Sequence, residues 1–401
     1  MHILVVEQIF YPVDFQVNDV CMQLVEDGHE VTVLTGLPNY PTGIIPKEYR
    51  HGKNRIEIWN GIKIIRCFEI PRKKGVVGMI ANYFSFCISA ALKAFFIKEK
   101  FDVVLAYETS PVLMAYPGEV YAKKNKTPLI LYCCDIWPEV VKTMVSSEKS
   151  MIFKVAKKVS TLIYKRADLL AVQSKGFYDY FKEVHNYDEE KLRYLPQYAD
   201  SSYIEQDLSA EDNGLIDFVF LGNIGIAQDI GSLINAVEKI KGISGFHVHL
   251  VGTGSYHEAA IGLVDKKGLN NLITFYGRQP YAKMIDFYKL ADVCLATLQA
   301  DSVISLTIPS KVQGYMAAGK PIIAALSGFA RDLIEESGSG IVVTPGNVDE
   351  LANAMKEFIM HPEKYKECGD NARSYYCRHF TREKYMNTLY KYLDEVMQVK
   401  K

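Results

Sequence analysis

Short apolar runs alternate with helical stretches along nearly the whole chain, and this alternation limits the fold more than any other feature. His2–Val6 (HILVV) leads through a loop into a helical stretch that ends at Gly28-His29, and EVTVLTG (30–36) follows. Asp217–Leu221 (DFVFL) opens a similar series, with a glycine-containing loop, the helical stretch SLINAVEKI and a further run, FHVHLVG (246–252). Residues 103–108, 129–134, 169–174, 273–277, 293–298, 321–325 and 340–344 are further strand candidates. Apolar runs this short, separated by helices, signal βαβ units and parallel sheets. The expected fold class is α/β, with two Rossmann-like, doubly wound parallel-sheet domains. With 401 residues and 49% hydrophobic side chains, the chain can fill two such cores, which excludes a disordered protein.

The polar, turn-rich segment 194–214 reads as a linker and places the boundary near 196–205. The expected domains are 1–198, 199–380 and a closing segment, 381–401. In that last segment Tyr385, Leu389, Leu393 and Val396 share one helical stripe, expected to pack back toward the amino-terminal domain. Two such halves set a cleft between the carboxyl ends of their sheets, where open α/β sheets bind ligands.

Lys and Arg number 46 against 47 Asp and Glu, so no nucleic-acid partner is expected. The balance hides a split. Residues 1–195 carry 26 basic and 22 acidic side chains, and 196–401 carry 20 and 25. From Lys47 to Lys74 there are nine Lys or Arg against three Glu, and Lys154, Lys157, Lys158, Lys165 and Arg166 follow. Val76–Ile97 is nearly uncharged, but Asn82, Ser85, Ser89 and Lys93 interrupt it, which favours a buried or interfacial helix over a membrane span. The eight cysteines show no metal-ligand spacing, and the segment MHILVVEQIFYP does not read as a signal peptide. A reducing cytosol is the expected setting.

Four loops in the second half carry the chemistry. Gly222-Asn223-Ile224-Gly225-Ile226-Ala227-Gln228 can curl so that amides at the next helix start meet a diphosphate, although a plain βα turn is the bland reading. Its spacing is not the dinucleotide fingerprint. Gly252-Thr253-Gly254 is a second strand-end glycine turn, and Arg278 with Pro280 lies beyond a third strand. An arginine there either clamps a phosphate or makes a surface ion pair. In Pro309-Ser310-Lys311, the proline begins a helix, and a lysine in its first turn opposes the helix dipole unless an anion shares the site. Otherwise the lysine simply reaches water.

The segments GNIGIAQDI, VGTGS, FYGRQPY, ADVCLATL, PSKVQGYMAAGKPIIAA and ESGSGIVVTPGNVDELANAM occur in the order and spacing of glycosyltransferase family 4. The chain therefore resembles the retaining GT-B enzymes of that family. YPVDFQVNDVCMQLVEDGHEVTVLTGLPNYPTG and YCCDIWPE resemble the branch acting in bacterial O-antigen, capsule and colanic-acid assembly, which includes N-acetyl-fucosamine transferases. The resemblance implies that Gly222, Asn223, Gly225 and Gln228, with Gly252 and Gly254, face a donor diphosphate. It places Arg278 and Pro280 beside the nucleotide base, and Ser310 and Lys311 toward the diphosphate and donor sugar.

Departures narrow what carries over. Asn223 and Gln228 stand where many members have Arg and Lys, Leu306 and Gly314 where many have glutamates, and Cys134 where many have the His before Asp135. In the amino half this leaves Asp135 and Glu139 as catalytic candidates beside Lys311, with a helix cap as the bland reading of Asp135. Gln16, Asn39 and Tyr40 are acceptor or cleft candidates, although Asn39-Tyr40-Pro41 also reads as a turn.

The expected activity is metal-independent transfer, with retention, of an N-acetylated hexosamine or deoxyhexosamine from a UDP-sugar to a polyprenyl-diphosphate-linked saccharide. No cofactor is expected. The protein would sit on the inner face of the cell membrane as a peripheral protein, with Arg72, Lys73 and Lys74 beside the apolar helix. A UDP-sugar epimerase and a catalytically silent binding subunit remain the alternatives.

Overall fold

The computed structural model describes residues 1–73, 75–143, 147, 149–210, 212–300 and 304–399. Lys74, grouped above with Arg72 and Lys73, lies outside the described residues. The chain divides into two compact units. Unit one holds residues 1–173, 177–195 and the segment from Met386 onward, and unit two holds 174–176 and 196–385.

The strands of unit one are β1 (His2–Val6), β2 (Glu30–Thr35), β3 (Ile56–Trp59), β4 (Ile62–Arg66), β5 (Val103–Glu108), β6 (Leu129–Cys133), β7 (Leu169–Val172) and β8 (Leu192–Tyr194). They form one sheet in the order β3-β4-β2-β1-β5-β6-β7-β8, parallel except for the edge strand β3. Every residue of β5 and β6 is buried, as expected for strands covered on both faces. The β3–β4 hairpin lies inside the basic run and is absent from the sequence reading. Its turn, Asn60-Gly61, has positive φ at both residues, the signature of a tight hairpin.

The helices of unit one are α1 (Gln16–Glu26), α2 (Val76–Phe96), α3 (Tyr116–Asn125), α4 (Met151–Tyr164) and α5 (Phe177–His185). α2 is long and apolar enough to cross a membrane by length and composition. Asn82, Phe86, Cys87, Ala90 and Ala94 face inward, whereas Val77, Ile80, Phe84, Ile88, Leu92 and Phe95 form an exposed stripe at helical spacing. The basic run is partly consumed inside the fold. The Arg66 guanidinium is buried against Glu57, 3.0 Å away, and Lys63 pairs with Glu99 at 2.6 Å.

Unit two carries α6 (Ser202–Glu205), β9 (Ile216–Leu221), α7 (Ile230–Ile240), β10 (Phe246–Val251), α8 (His257–Lys267), β11 (Ile273–Gly277) and α9 (Met284–Leu290). β12 (Val293–Thr297), α10 (Ser310–Ala317), β13 (Ile322–Ala325), α11 (Phe329–Ser337), β14 (Gly340–Val343), α12 (Val348–Met360) and α13 (Lys366–His379) complete it. Its sheet is wholly parallel, in the order β11-β10-β9-β12-β13-β14. Strand order reverses between β1 and β5 in one unit and between β9 and β12 in the other, the switch points at which doubly wound sheets hold ligands. The last helix, α14 (Arg382–Val399), bonds to unit one through Tyr392, whose hydroxyl donates to the Tyr194 carbonyl at 2.7 Å, and through an Arg193–Glu395 ion pair.

Candidate active site

In unit two the loops after β9, β10 and β11 lie side by side at the switch-point edge. The Gly222 amide donates to the Val251 carbonyl, Ile224 to Thr253, and Gly252 to Gly277, each at 2.9 Å. Gly222 and Gly252 hold φ of 134° and 136°, a region that L side chains rarely enter. A Cβ on Gly252 would overlap the Gly222 carbonyl, and one on Gly254 would stand 2.5 Å from the Ile224 carbonyl. Gly252→Ala is therefore expected to cost roughly 1–3 kcal/mol of backbone strain. It should also weaken UDP binding, and both effects are readable by thermal unfolding and calorimetry. A variant that melts lower but binds UDP normally would separate loop shape from donor binding.

Lys311 is the informative side chain of this edge. It stands in the first turn of α10, and its Nζ lies 3.6 Å from the Phe220 ring centroid and within 3.5 Å of the position a Gly222 Cβ would take. That Nζ is buried without a hydrogen-bond partner among the described residues. Burial lowers its pKa to about 7. The ring face offsets part of the desolvation, about 2 kcal/mol for a well-placed cation. The helix start repels the charge, and a buried ammonium costs several kcal/mol. An anionic ligand at this edge would supply a counter-charge.

The other donor candidates divide. Ser310 opens α10 and is exposed. The Asn223 amide donates to Gln228 Oε1 at 3.1 Å, and the Gly225 amide donates to the same oxygen at 3.2 Å. Gln228 therefore shapes the loop from within, and Asn223 shares in that bracing. Arg278 and Pro280 are exposed, and Arg278 makes no hydrogen bond or ion pair among the described residues, which leaves its guanidinium available.

In unit one Asp135 follows β6. It reaches solvent, yet the protein crowding its other sides strips enough water to raise its carboxyl to about 6. The segment around it is pinned. The Trp137 amide donates to the Tyr164 hydroxyl at 3.2 Å, its indole donates to Ser110 Oγ at 3.2 Å, and its carbonyl meets His185 Nε2 at 2.9 Å. Burial holds the His185 pKa down at about 4, so the ring is neutral. Glu139 is buried, accepts from the Tyr180 hydroxyl at 2.8 Å and pairs with Lys142 at 2.5 Å, so it braces this segment. Gln16 accepts from the Tyr107 hydroxyl at 3.3 Å at the start of α1. Asn39 is buried in the loop after β2, and half-exposed Tyr40 packs on Phe15.

Three carboxyl groups escaped the sequence reading. Glu7 follows β1, Glu108 ends β5 and Glu69 follows β4, so the first two flank the switch point. Burial raises Glu7 and Glu69 to about 8 and Glu108 well above the carboxylate range, the nearby Asp135 charge adding to the shift at Glu108. At neutral pH this favours the protonated form of Glu7 and Glu69, and burial pushes Glu108 in the same direction. Glu7 accepts from Thr109 Oγ1 at 2.9 Å, whereas Glu108 meets the Cys133 thiol. The signal was available, since a carboxylate ending an apolar strand must be buried or face the ligand edge.

Comparison with known proteins agrees with this geometry. Residues 14–202 match the model of Glycosyltransferase Family 4, and residues 205–375 match that of Glycosyl transferases group 1. The chain is 28% identical over 315 residues to a probable glycosyltransferase, WbjE, of Pseudomonas aeruginosa, covering 73% of this chain and 75% of that protein. Among solved structures, the sucrose-phosphate synthase of Thermosynechococcus elongatus superposes with a TM-score of 0.76 at 18% identity over 99% of both chains. HepE of Anabaena, solved with UDP and glucose, gives 0.72 at 17% identity over 98% of this chain and 99% of that one. With both family models matched in order and the paired parallel sheets of the fold in place, the chain belongs to the GT-B glycosyltransferases of family 4.

Proposed function

We propose that this glycosyltransferase moves an N-acetylated hexosamine or deoxyhexosamine from a UDP-sugar to a polyprenyl-diphosphate-linked saccharide in bacterial surface polysaccharide synthesis, with retention and without a metal. The observation that carries this reading is the Lys311 ammonium beside Gly222, buried with no hydrogen-bond partner among the described residues. A nucleoside diphosphate is the anion that suits a glycine-lined strand edge of this kind. HepE, of like fold, was solved with UDP and with UDP-glucose, which supports the choice of nucleotide. In the proposed reaction the bond from the anomeric carbon to the diphosphate oxygen breaks. The acceptor oxygen bonds to that carbon on the same face. The acceptor proton passes to Asp135 or to the departing phosphate, whose growing charge Lys311, Arg278 and loop amides stabilise.

The acceptor assignment draws on the surface of unit one. The exposed stripe of α2 and the exposed Met151, Ile152 and Val155 of α4 both belong to helices that pack on the turn Val112–Ala115, and Lys154, Lys157 and Lys158 stand exposed beside them. An apolar face with flanking lysines suits an anionic membrane surface, to which each well-placed charge adds ~1 kcal/mol. In this reading the protein is peripheral on the cytoplasmic leaflet. Phe84→Asp with Ile88→Asp is expected to abolish co-sedimentation with anionic vesicles, and rising salt should weaken wild-type binding. Binding that ignores both changes would sink the docking.

The test of function is mass spectrometry of the purified protein mixed with UDP-sugars and a synthetic prenyl-diphosphate saccharide in EDTA. A glycosylated lipid supports transfer, an isomerised nucleotide supports epimerisation, and neither product supports a binding subunit.

A further inference from the structure

The sheet of unit one ends in an open edge. β3 is its outermost strand, paired antiparallel with β4 through Ile56–Ile65, Glu57–Ile64, Ile58–Lys63 and Trp59–Ile62. The Arg66 amide donates to the Arg55 carbonyl at 2.8 Å, and bonded pairs alternate along an antiparallel ladder. Arg55, Glu57 and Trp59 therefore turn their backbone groups toward β4, and Ile56 and Ile58 turn theirs outward. No other segment among the described residues bonds to those outward groups. Proteins blunt such an edge with lysine, proline or a bulge, because open N–H and C=O groups are a template for a further strand. Here both outward residues are isoleucines, 60% and 68% exposed.

The two faces of this edge differ. Glu57 and Trp59 stand on one, where Glu57 pairs with Arg66 at 3.0 Å and the Trp59 ring stacks on Tyr11. Ile56 and Ile58 stand on the other, beside Ile65 and Lys63, and Lys63 reaches Glu99 just past α2. α2 belongs to this side, and its Ser89 hydroxyl donates to the Phe68 carbonyl after β4. A second copy of the strand pairs symmetrically only where outward residues meet outward residues. A register centred on Glu57 meets that condition twice, with Ile56 of each chain opposite Ile58 of the other and each pair exchanging two N–H···O bonds. Registers centred on Ile56 or Ile58 meet it once, because Asn54 and Asn60 have positive φ and leave the extended conformation. Glu57 then faces its counterpart across the axis, with its own Arg66 at hand. Arg55 of the second copy lies on the diagonal, within reach of a long side chain. Two carboxylates thus sit among four guanidinium groups, and the charges are complementary.

We propose that β3 pairs antiparallel with β3 of a second copy of this chain, joining two eight-stranded sheets into one continuous sheet. The two-fold axis of such a contact runs along the sheet normal, so the α2 faces of both copies turn to the same side. The pair then lays two exposed stripes, each from Val77 to Phe95, on one membrane surface and binds it with shared avidity. That consequence rests on the docking reading above, whereas the strand pairing stands on the edge itself.

The experiment is sedimentation velocity of the protein without vesicles, from about 1 to about 100 μM, in reducing buffer so that exposed Cys377 forms no cross-link. Wild type is expected to pass from monomer to dimer within that range, as a small interface does. Ile58→Pro keeps an apolar side chain and the β4 ladder but removes the outward N–H. It should raise the dissociation constant about tenfold or more. Ile56→Lys, which leaves every backbone group in place, should do the same. Phe84→Asp with Ile88→Asp, on the α2 stripe, should leave the dimer intact. An unchanged melting midpoint and UDP affinity report that the variants are folded. A wild type that stays monomeric throughout, a dimer that survives both edge variants, or one lost with the α2 pair overturns the strand pairing. Co-sedimentation with anionic vesicles reads the membrane consequence separately. Ile58→Pro should weaken it, and full vesicle binding by a monomeric Ile58→Pro refutes the shared avidity.

Discussion

Lys311→Met is expected to raise the melting temperature of the ligand-free protein while removing most of its UDP affinity and turnover. Among the described residues the buried ammonium meets the Phe220 ring and no hydrogen-bond partner, so an apolar side chain of similar length should stabilise the fold by about 1–4 kcal/mol. The linkage has a definite sign. The native pKa of about 7 lies below the unfolded value near 10.5, so the unfolded chain binds more protons in that window. Lys311 therefore destabilises the free protein at neutral pH, and the penalty disappears as pH rises toward the unfolded value. A bound diphosphate restores the charge, so UDP binding takes up a proton above pH 7 and weakens by up to about tenfold per pH unit. Turnover of the variant should fall about 10²–10³-fold, as when one transition-state donor is removed. Scanning calorimetry with and without UDP and titrations from pH 6 to 9 read stability and affinity, and an assay of product formation reads turnover. A lower melting point with unchanged UDP affinity would refute the assignment.

Asp135→Asn is expected to reduce turnover by about 10²–10⁴-fold, the range that general base catalysis contributes, with little change in UDP affinity. Asp135 lies in unit one, among the groups assigned to the acceptor. Its carboxyl, raised to about 6 by desolvation, is ionised above that pH and loses its charge below it. The wild-type kcat/KM profile should therefore fall on the acid side of pH 6, and the residual activity of the variant should lack that limb. An acid limb that persists in Asp135→Asn would assign the titration to another group.

The two predictions show how unevenly the site was legible. Lys311 announced itself as a cation at a helix start, and the glycines announced turns, because those signals are local. The eleven strand candidates were legible for the same reason, since burial on both faces leaves a continuous apolar run. The β3–β4 hairpin was hidden by the charges around it, although Asn60-Gly61 carried its turn. Glu139 and Asp135 looked alike in sequence, four residues apart, yet one braces against Tyr180 and Lys142 while the other reaches solvent. That difference depends on partners distant in the chain. The hydrogen bonds that link Gln8, Asn39, Glu69 and Asn82 join four segments that no spacing rule links.

Sequence alone determined that this chain builds two parallel α/β units with glycine turns at strand ends, because periodicity and backbone freedom are properties of neighbouring residues. Tertiary structure decided which charges stay in water and which lose it. Arg66 turned inward to Glu57, Glu108 lost all solvent, and Lys311 was left buried with no counter-ion among the described residues. The cost of placing a charge is set by everything packed around it, and only the folded chain brings those neighbours together.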